Sequence, residues 1–286
     1  MDTLLRRWGL QGQDVRPLTE GTNNTGYYVG EEFVLRIHRN AIPPTYEHAV
    51  LQTVTGLPFA VPTPVPADGE TAVRGEIHGE PVLASLSRRI PGEHPARGDT
   101  ARAEACGRAL GELDKALAEL NPADLPPSPV WNGDLTTVHP RVPNLDVVLD
   151  ALPAVAPILA GIGPLLDLPQ QIIHGDFALT NVLMVGDRVT AILDFETAGL
   201  GYRALDLAVG RYFFGEVGHP STAFQRGYLE AFPLTDAELA ALPGLELMRE
   251  ATSLVHWYGR YLDGQTTAEG VAARVERLLG VSEATR

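Results

Sequence analysis

Three residues with oxygen-bearing side chains lie near one another in the chain, at a spacing that suits the transfer of a phosphoryl group. They are Asp176, Asn181 and Asp194. Such a transfer needs a carboxylate that orients and deprotonates an accepting hydroxyl, and oxygen ligands that hold Mg²⁺ against the phosphates. We therefore predict that Asp176 is the catalytic base and that Asn181 and Asp194 bind the metal.

The sequence around these residues predicts a strand hairpin that positions two of them. Two apolar runs, at 182–185 and 189–193, flank a Gly-Asp turn signal. Short apolar runs on either side of such a turn are typical of paired strands. The hairpin would bring Asn181 and Asp194 close together, one at each of its outer ends.

Three sequence elements together resemble a known family. They are His-Gly-Asp followed by four residues and Asn (174–181), Asp-Phe-Glu (194–196), and the Gly-to-Asp-Leu-Ala segment 201–208. The ordered set is similar to the superfamily of aminoglycoside phosphotransferases, homoserine kinases and choline kinase-like enzymes. Protein kinases have the same Asp-to-Asn separation and a later D-F-x element. Here Gly175 replaces the Arg of the kinase loop and Glu196 replaces the last Gly of D-F-G.

The resemblance implies an α+β, bilobal protein-kinase-like fold. A strand-rich first part and a helix-rich second part agree with it. We expect a nucleotide-binding lobe at 1–89 and a catalytic and acceptor-binding lobe at 90–286. The pattern predicts strands at 15–20, 27–29, 33–37, 71–77 and 81–89, and helices at 1–12, 46–55, 101–120, 145–159, 221–231, 236–262 and 267–280. Residues 121–143, which contain six prolines, are expected to form a long connection.

The first turn of the strand-rich part is a candidate for covering ATP phosphates. Its glycines allow the backbone to approach closely, and its polar side chains offer hydrogen-bond donors. An ordinary hairpin is the alternative. The candidate residues are Thr22, Asn23, Asn24 and Thr25.

By the same resemblance, Arg36 stands where kinases carry a lysine that touches the phosphates and pairs with a helix glutamate. Glu47 is the candidate partner. A solvated strand residue and a surface glutamate are the alternatives. The hinge that binds adenine through its backbone is expected at Arg89 and Ile90.

Three further residues in or after these sequence elements can be given more than one role or only a supporting role. His174 is expected to position the acidic residues, with direct proton transfer as the alternative. Glu196 is expected either to supplement the metal shell through water or to cap the following loop. Asp206 is expected to stabilise the catalytic loop.

The acceptor site is the least specified part of the sequence. Arg211, Tyr212, His256, Trp257 and Arg260 form the candidate set. A homoserine-type amino acid would need a cation such as Arg211 or Arg260 for its carboxylate. An aminoglycoside or choline would need clustered carboxylates or an aromatic cage. For the aromatic residues, packing in the core is the alternative.

Composition limits the possible partners. The net charge of −14 disfavours nucleic acid, because phosphate backbones need a basic face. The longest apolar run contains three prolines, which disfavours a membrane span. Cys106 is the only cysteine, so no intrachain disulfide can form. We expect a cytoplasmic monomer or homodimer that uses ATP and Mg²⁺ and phosphorylates a hydroxyl of a small molecule.

A catalytically silent nucleotide-binding protein on the same fold is the rival interpretation. The presence of Asp176, Asn181 and Asp194 together argues against it, because such proteins tend to lose at least one of them.

Overall fold

The structure is a computed structural model that describes residues 1–18, 24–38, 44–128, 135, 138–162, 168–215 and 219–284. It confirms the predicted α+β architecture, with an antiparallel sheet in the N-terminal part and helices in most of the C-terminal part. None of the helices within these ranges is long and apolar enough to cross a membrane.

The N-terminal sheet has the strand order β1-β2-β3-β5-β4, and every neighbouring pair is antiparallel. Its alternating pattern places Leu35 and Ile37 in a buried core, with Leu4 and Leu5 of the first helix among the residues of that core. Because side chains alternate between the faces of a strand, Arg36 points to the opposite face. The elements are α1 (Asp2–Leu5), β1 (Val15–Leu18), β2 (Thr25–Val29), β3 (Phe33–His38), β4 (Val73–Ile77) and β5 (Glu80–Arg88).

A single helix, α2 (Thr45–Thr53), lies between β3 and β4 in the chain. Its residues Val50 and Leu51 are buried in the core of the C-terminal part rather than in the core under the sheet. The helix therefore joins the two parts of the molecule. The sequence predicted it at 46–55.

The C-terminal part combines helices with two short antiparallel strand pairs, β6 with β9 and β7 with β8. The helices are α3 (Thr100–Ala118), α4 (Asp146–Ala151), α5 (Ala156–Gly161), α6 (Leu205–Phe214), α7 (Thr222–Ala231), α8 (Asp236–Leu262) and α9 (Ala268–Ala284). The strands are β6 (Gln170–Ile173), β7 (Val182–Val185), β8 (Arg188–Ile192) and β9 (Gly199–Tyr202).

The predicted hairpin at 182–193 is present as β7 and β8. The helical segment predicted at 145–159, with an interruption expected at its prolines, is divided into α4 and α5 around Pro153, because a proline removes a helical hydrogen bond. The sequence did not predict β9 or α6. Within the connection at 121–143 the structure describes a 3-10 turn at Pro122–Asp124, while 129–134 and 136–137 lie outside the described residues.

Helices α3 and α7 pack closely because glycines lie at their contact. A Cβ atom on Gly107 of α3 would lie 2.0 Å from the carbonyl oxygen of Phe224, and one on Gly227 of α7 would lie 2.0 Å from that of Glu104. Real Cβ atoms do not approach backbone this closely. The spacing of the two helices therefore depends on these glycines.

We predict that Gly107→Ala destabilises the protein. Alanine favours a helix over glycine by about 0.5–1 kcal/mol. Overpacking of a tight contact costs about 1–3 kcal/mol and outweighs this gain. Gly244→Ala in α8 is the control, because its Cβ would meet nothing within 4 Å. Thermal or denaturant unfolding should show a loss of stability for Gly107→Ala and none for Gly244→Ala. Equal stability of the two would contradict the packing argument.

Candidate active site

A cleft of about 1120 Å³ lies between the sheet and the helical part. Its walls include Arg36 from β3, Asp176 from the loop after β6, and Asn181 and Asp194 from the two ends of the β7–β8 hairpin. The backbone N–H of Leu193 donates to the carbonyl of Asn181 at 2.8 Å, which closes the open end of the hairpin. The three residues predicted to act on phosphate thus lie in one cleft.

The loop that carries Asp176 is held by Asp206 of α6. The backbone N–H groups of His174 and Gly175 donate to the two carboxylate oxygens of Asp206, at 2.6 Å and 2.7 Å. Gly175 adopts a φ of 83°, and a Cβ atom there would lie 2.7 Å from the carbonyl oxygen of Thr197. Glycine at this position therefore lets the loop turn against the segment after β8.

His174 is fully buried, and both of its ring nitrogens contact backbone groups. Its Nδ1 accepts from the backbone N–H of Asp176 at 3.3 Å, so Nε2 carries the proton and donates to the carbonyl of Leu193 at 2.9 Å. The imidazole joins the loop to the end of β8. This arrangement favours a positioning role for His174 over proton transfer.

Behind Asp206, a second buried acid completes the support of the loop. Asp114 of α3 is hydrogen-bonded to Asp206, and the hydroxyl of Tyr228 donates to its Oδ2 at 2.6 Å. Burial, and then the charge of Asp206, raise the pKa of Asp114 well above its usual range. This shift favours the protonated form of Asp114, which would remove the repulsion between the two buried carboxylates.

The two predicted metal ligands have oxygen atoms available. The Nδ2 of Asn181 donates to the carbonyl of Asp176 at 2.8 Å, which leaves its amide oxygen as a ligand. Asp194 adopts a φ of 62°, and its Oδ1 is buried with no hydrogen-bond partner among the described residues. A divalent cation would satisfy this oxygen. Within the same ranges no group of three His, Cys, Asp or Glu residues could hold a metal, so phosphates and water would have to complete the shell.

Arg36 and Glu47 form the ion pair that the sequence suggested. Arg36 Nη1 lies 2.7 Å from Glu47 Oε1, and Nη2 lies 3.7 Å from Asp194 Oδ1. Burial would lower the pKa of Arg36, but Glu47, Asp194 and Glu196 outweigh burial and raise it. The guanidinium is thus fixed beside the candidate metal ligand.

The turn predicted to cover the phosphates is only partly described, because Thr22 and Asn23 lie outside the described residues. Asn24 lines the cleft, and its Nδ2 donates to Glu196 Oε2 at 2.9 Å, across the two parts of the molecule. Thr25 begins β2 in register with Ile37 and is not among the cleft-lining residues.

The predicted hinge residues Arg89 and Ile90 both line the cleft. The guanidinium of Arg89 lies 4.7 Å from the centre of the Tyr28 ring and pairs with Glu31 at 3.0 Å. The backbone N–H of Arg89 already donates to Glu32. An adenine bound at this hinge would therefore meet other backbone groups than that N–H.

The structure divides the acceptor candidates. His256, Trp257 and Arg260 line the cleft, whereas Arg211 and Tyr212 do not. Arg211 Nε instead contacts the buried carboxylate of Glu246 at 2.5 Å, and Nη1 contacts Gln225 at 2.9 Å. Its guanidinium is therefore held by Glu246 of α8 and Gln225 of α7 and does not line the cleft.

Three arginines that the sequence analysis did not single out also line the cleft: Arg249, Arg274 and Arg277. Arg249 Nη2 donates to Asp176 Oδ1 at 2.5 Å. Arg249 precedes His256 by seven residues, which is two helical turns, so the two share a face of α8. The seven-residue spacing from His256 was the sequence signal that could have identified Arg249.

A family model described as "Phosphotransferase enzyme family" matches residues 14–242. The chain belongs to this family. It is 30% identical over 268 residues to a homoserine kinase of Brucella anthropi, covering 82% of this chain and 78% of that one. A homoserine kinase of Granulibacter bethesdensis is 26% identical, with 92% and 87% covered.

The solved structure of an amicoumacin kinase, in complex with AMP-PNP and Ca²⁺, has the same fold. Its TM-score is 0.70 at 18% identity, with 98% of this chain and 92% of that chain covered. This likeness shows that the fold is shared over nearly the whole chain.

We predict that Asp114→Asn reduces the pH dependence of stability. Above the ordinary Asp pKa the unfolded chain loses this proton while the folded chain keeps it, so the wild-type loses stability as the pH rises towards the raised pKa. Asparagine can make both hydrogen bonds without a proton. The melting temperature of the variant relative to wild-type should therefore rise between about pH 5 and about pH 8.

Asp114→Ala is the matched control, because it removes the polar group that contacts both Tyr228 and Asp206. It should melt well below wild-type at either pH. If Asp114→Asn and wild-type differ by the same amount at both pH values, Asp114 is not protonated in the folded protein.

Proposed function

We propose that this phosphotransferase is an ATP- and Mg²⁺-dependent kinase that moves the γ-phosphoryl group to a hydroxyl of a small molecule. Residues 1–89 act as the nucleotide-binding lobe, and 90–286 supply the catalytic and acceptor-binding groups. The observation that carries the proposal is the convergence of Asp176, Asn181 and Asp194 in one cleft, opposite the Arg36–Glu47 ion pair.

Each of these residues has a distinct task in the reaction. Asp176 accepts the proton of the acceptor hydroxyl as its oxygen attacks the γ-phosphorus. The bond from that phosphorus to the bridging oxygen breaks, which yields a phosphate monoester and ADP. Arg36, held by Glu47 and next to Asp194, offers a fixed positive charge to the phosphates.

Asn181 and Asp194 would hold the divalent metal. Mg²⁺, when bound, would neutralise charge on the phosphates, as it does in kinases generally. The buried Oδ1 of Asp194, which has no hydrogen-bond partner among the described residues, supports this assignment. The amicoumacin kinase, which is similar in fold and was solved with AMP-PNP and Ca²⁺, supports it as well.

The curated relatives favour a hydroxy amino acid as the first acceptor to assay. Two that cover most of this chain are named homoserine kinase. An aminoglycoside is the second candidate, since the fold is shared with a solved aminoglycoside phosphotransferase. An assay of ADP formation with both acceptors would separate the two classes.

We predict that Asp176→Ala lowers turnover by roughly 10²- to 10⁴-fold, because the hydroxyl loses its general base. The measurement is steady-state ADP formation, with a melting curve to verify folding. Asp187→Ala is the control, because this side chain is 85% exposed at the hairpin turn. Turnover that is unchanged in the Asp176 variant would exclude the proposed mechanism.

We predict that Asp194→Asn abolishes the metal-dependent part of ATP binding, because it removes the charged ligand. Asparagine is the suitable replacement, since it tolerates the positive φ at this position better than alanine does. Calorimetric titrations with ATP should be run with Mg²⁺ and with a chelator. Equal metal dependence in variant and wild-type would contradict the ligand role.

A further inference from the structure

The side chain of Asp176 is held from a different part of the molecule than its backbone. The backbone N–H of Asp176 donates to Nδ1 of His174 at 3.3 Å, and its carbonyl accepts from Nδ2 of Asn181 at 2.8 Å. Both partners lie in the stretch between β6 and β7. The carboxylate instead accepts from Nη2 of Arg249 on α8, through Oδ1 at 2.5 Å. Its direction thus depends on a residue outside the loop.

Backbone contacts alone leave this carboxylate free to turn. An aspartate side chain has two rotatable bonds, and the second of them is broadly distributed rather than restricted to sharp rotamers. The side chain of Asp176 is 32% exposed and lines the cleft. A donor that holds one of its oxygens removes most of this freedom.

Arg249 is mounted on a helix that is anchored on two sides. Helix α8 begins at a capping box, in which Thr235 and Glu238 exchange hydrogen bonds. Met248 is buried in the core that includes residues of α2 and α3, whereas Ala251 is buried in a separate core with residues of α4, α5 and α9. The backbone that carries Arg249 is therefore held between two apolar cores.

The guanidinium of Arg249 belongs to the face of α8 that borders the cleft. Cleft-lining residues recur along this helix at the three- and four-residue spacing of one helical face. They are Arg249, Thr252, Ser253, His256, Trp257 and Arg260. The side chain of Arg249 is 20% exposed, and its Nε is buried with no hydrogen-bond partner among the described residues. The stem of the side chain is thus largely enclosed, while its Nη2 reaches Asp176.

The loose transition state of phosphoryl transfer makes the orientation of the base important. In such a transfer the enzyme contributes chiefly by positioning the reacting groups and by electrostatic stabilisation. Misplacement of a reacting group by about 1 Å can lower the rate about 10²-fold. A guanidinium that holds one oxygen of Asp176 would leave the other oxygen in a fixed place for the acceptor hydroxyl.

We propose that Arg249 is a positioning residue, which holds Oδ1 of Asp176 so that Oδ2 receives the proton of the acceptor hydroxyl. The hydroxyl O–H bond breaks as its oxygen bonds to the γ-phosphorus and the bond from that phosphorus to ADP breaks. Protonation at Oδ2 leaves Oδ1 able to accept from Arg249, so the contact persists through the step. This inference rests on the proposed kinase function and adds a residue to its machinery.

Two other roles for the same ion pair lead to different kinetics. If Arg249 blocks the base, its removal should raise turnover or leave it unchanged. If Arg249 binds the acceptor directly, its removal should raise the KM for the acceptor, and the loss should be the same with or without Asp176. A positioning residue should instead act on kcat, and only while Asp176 is present.

The first test measures steady-state ADP formation by Arg249 variants, with homoserine or kanamycin as the acceptor, or with water if neither is phosphorylated. Arg249→Met keeps an unbranched stem and removes the donor, so kcat should fall about 10- to 100-fold. The KM for ATP and for the acceptor should change less than about twofold. Arg249→Lys should recover part of kcat, because an ammonium group still donates to a carboxylate. Should Arg249→Met not fold, Arg249→Gln replaces it with the same expectation.

The second test asks whether Arg249 acts through Asp176. In the Asp176→Ala background, Arg249→Met should lower the residual turnover by less than about twofold, because residues that act as a unit give non-additive losses. Arg108→Met is the matched control. It removes an ion pair of the same length, 2.5 Å to Glu230, and neither residue of that exposed pair is among the cleft-lining residues. This control should behave as wild-type, and melting curves verify that each variant is folded.

The inference is overturned if Arg249→Met leaves kcat unchanged or raises it, or if the loss appears in the KM for the acceptor. It is also overturned if the loss is as large in the Asp176→Ala background as in the wild-type protein. Failure of the kinase function would look different. No ADP formation that Asp176→Ala lowers would then be found with homoserine, kanamycin or water, and that result would overturn both proposals.

Discussion

The two hydrogen bonds from the backbone of His174 and Gly175 to Asp206 are the constraint on which the site depends. The loop that carries Asp176 has no ladder of strand hydrogen bonds to fix its backbone. The buried carboxylate of Asp206 therefore holds the backbone just before Asp176. Two ionised carboxylates buried side by side would repel each other, and the raised pKa of Asp114 favours its neutral form, which removes this repulsion. Asp114 of α3, Asp206 of α6 and Tyr228 of α7 thus together support the loop that carries Asp176.

The two ends of the cleft carry different charged side chains, and Asp176 lies between them. At the sheet end, Arg36 pairs with Glu47 and also lies near Asp194. A metal would be attracted by the carboxylate of Asp194, and a triphosphate by the guanidinium of Arg36. At the helical end, Arg249, Arg274 and Arg277 line the cleft. Arg249 donates to Asp176, the proposed catalytic base. In the proposed reaction, strands and loops would therefore supply the phosphate chemistry, and α8 and α9 would contact the acceptor.

Much of the catalytic geometry could be predicted because it is local. The apolar runs around a Gly-Asp turn predicted the hairpin that joins Asn181 to Asp194, and kinase spacing suggested the Arg36–Glu47 pair. The strand β9 was missed because it is short and contains two glycines. Arg249 was missed because its contact with Asp176 spans 73 residues, and no local pattern specifies a pairing at that distance.

The single cysteine of the chain has a practical consequence. Cys106 is fully buried on α3, and burial raises the pKa of its thiol to about 12. A thiol in that state hardly reacts, because the thiolate is the nucleophile. Cysteines introduced at the two rims of the cleft would be the only sites that a spectroscopic label modifies. The natural background thus allows the distance between the two rims of the cleft to be measured without first removing a native residue.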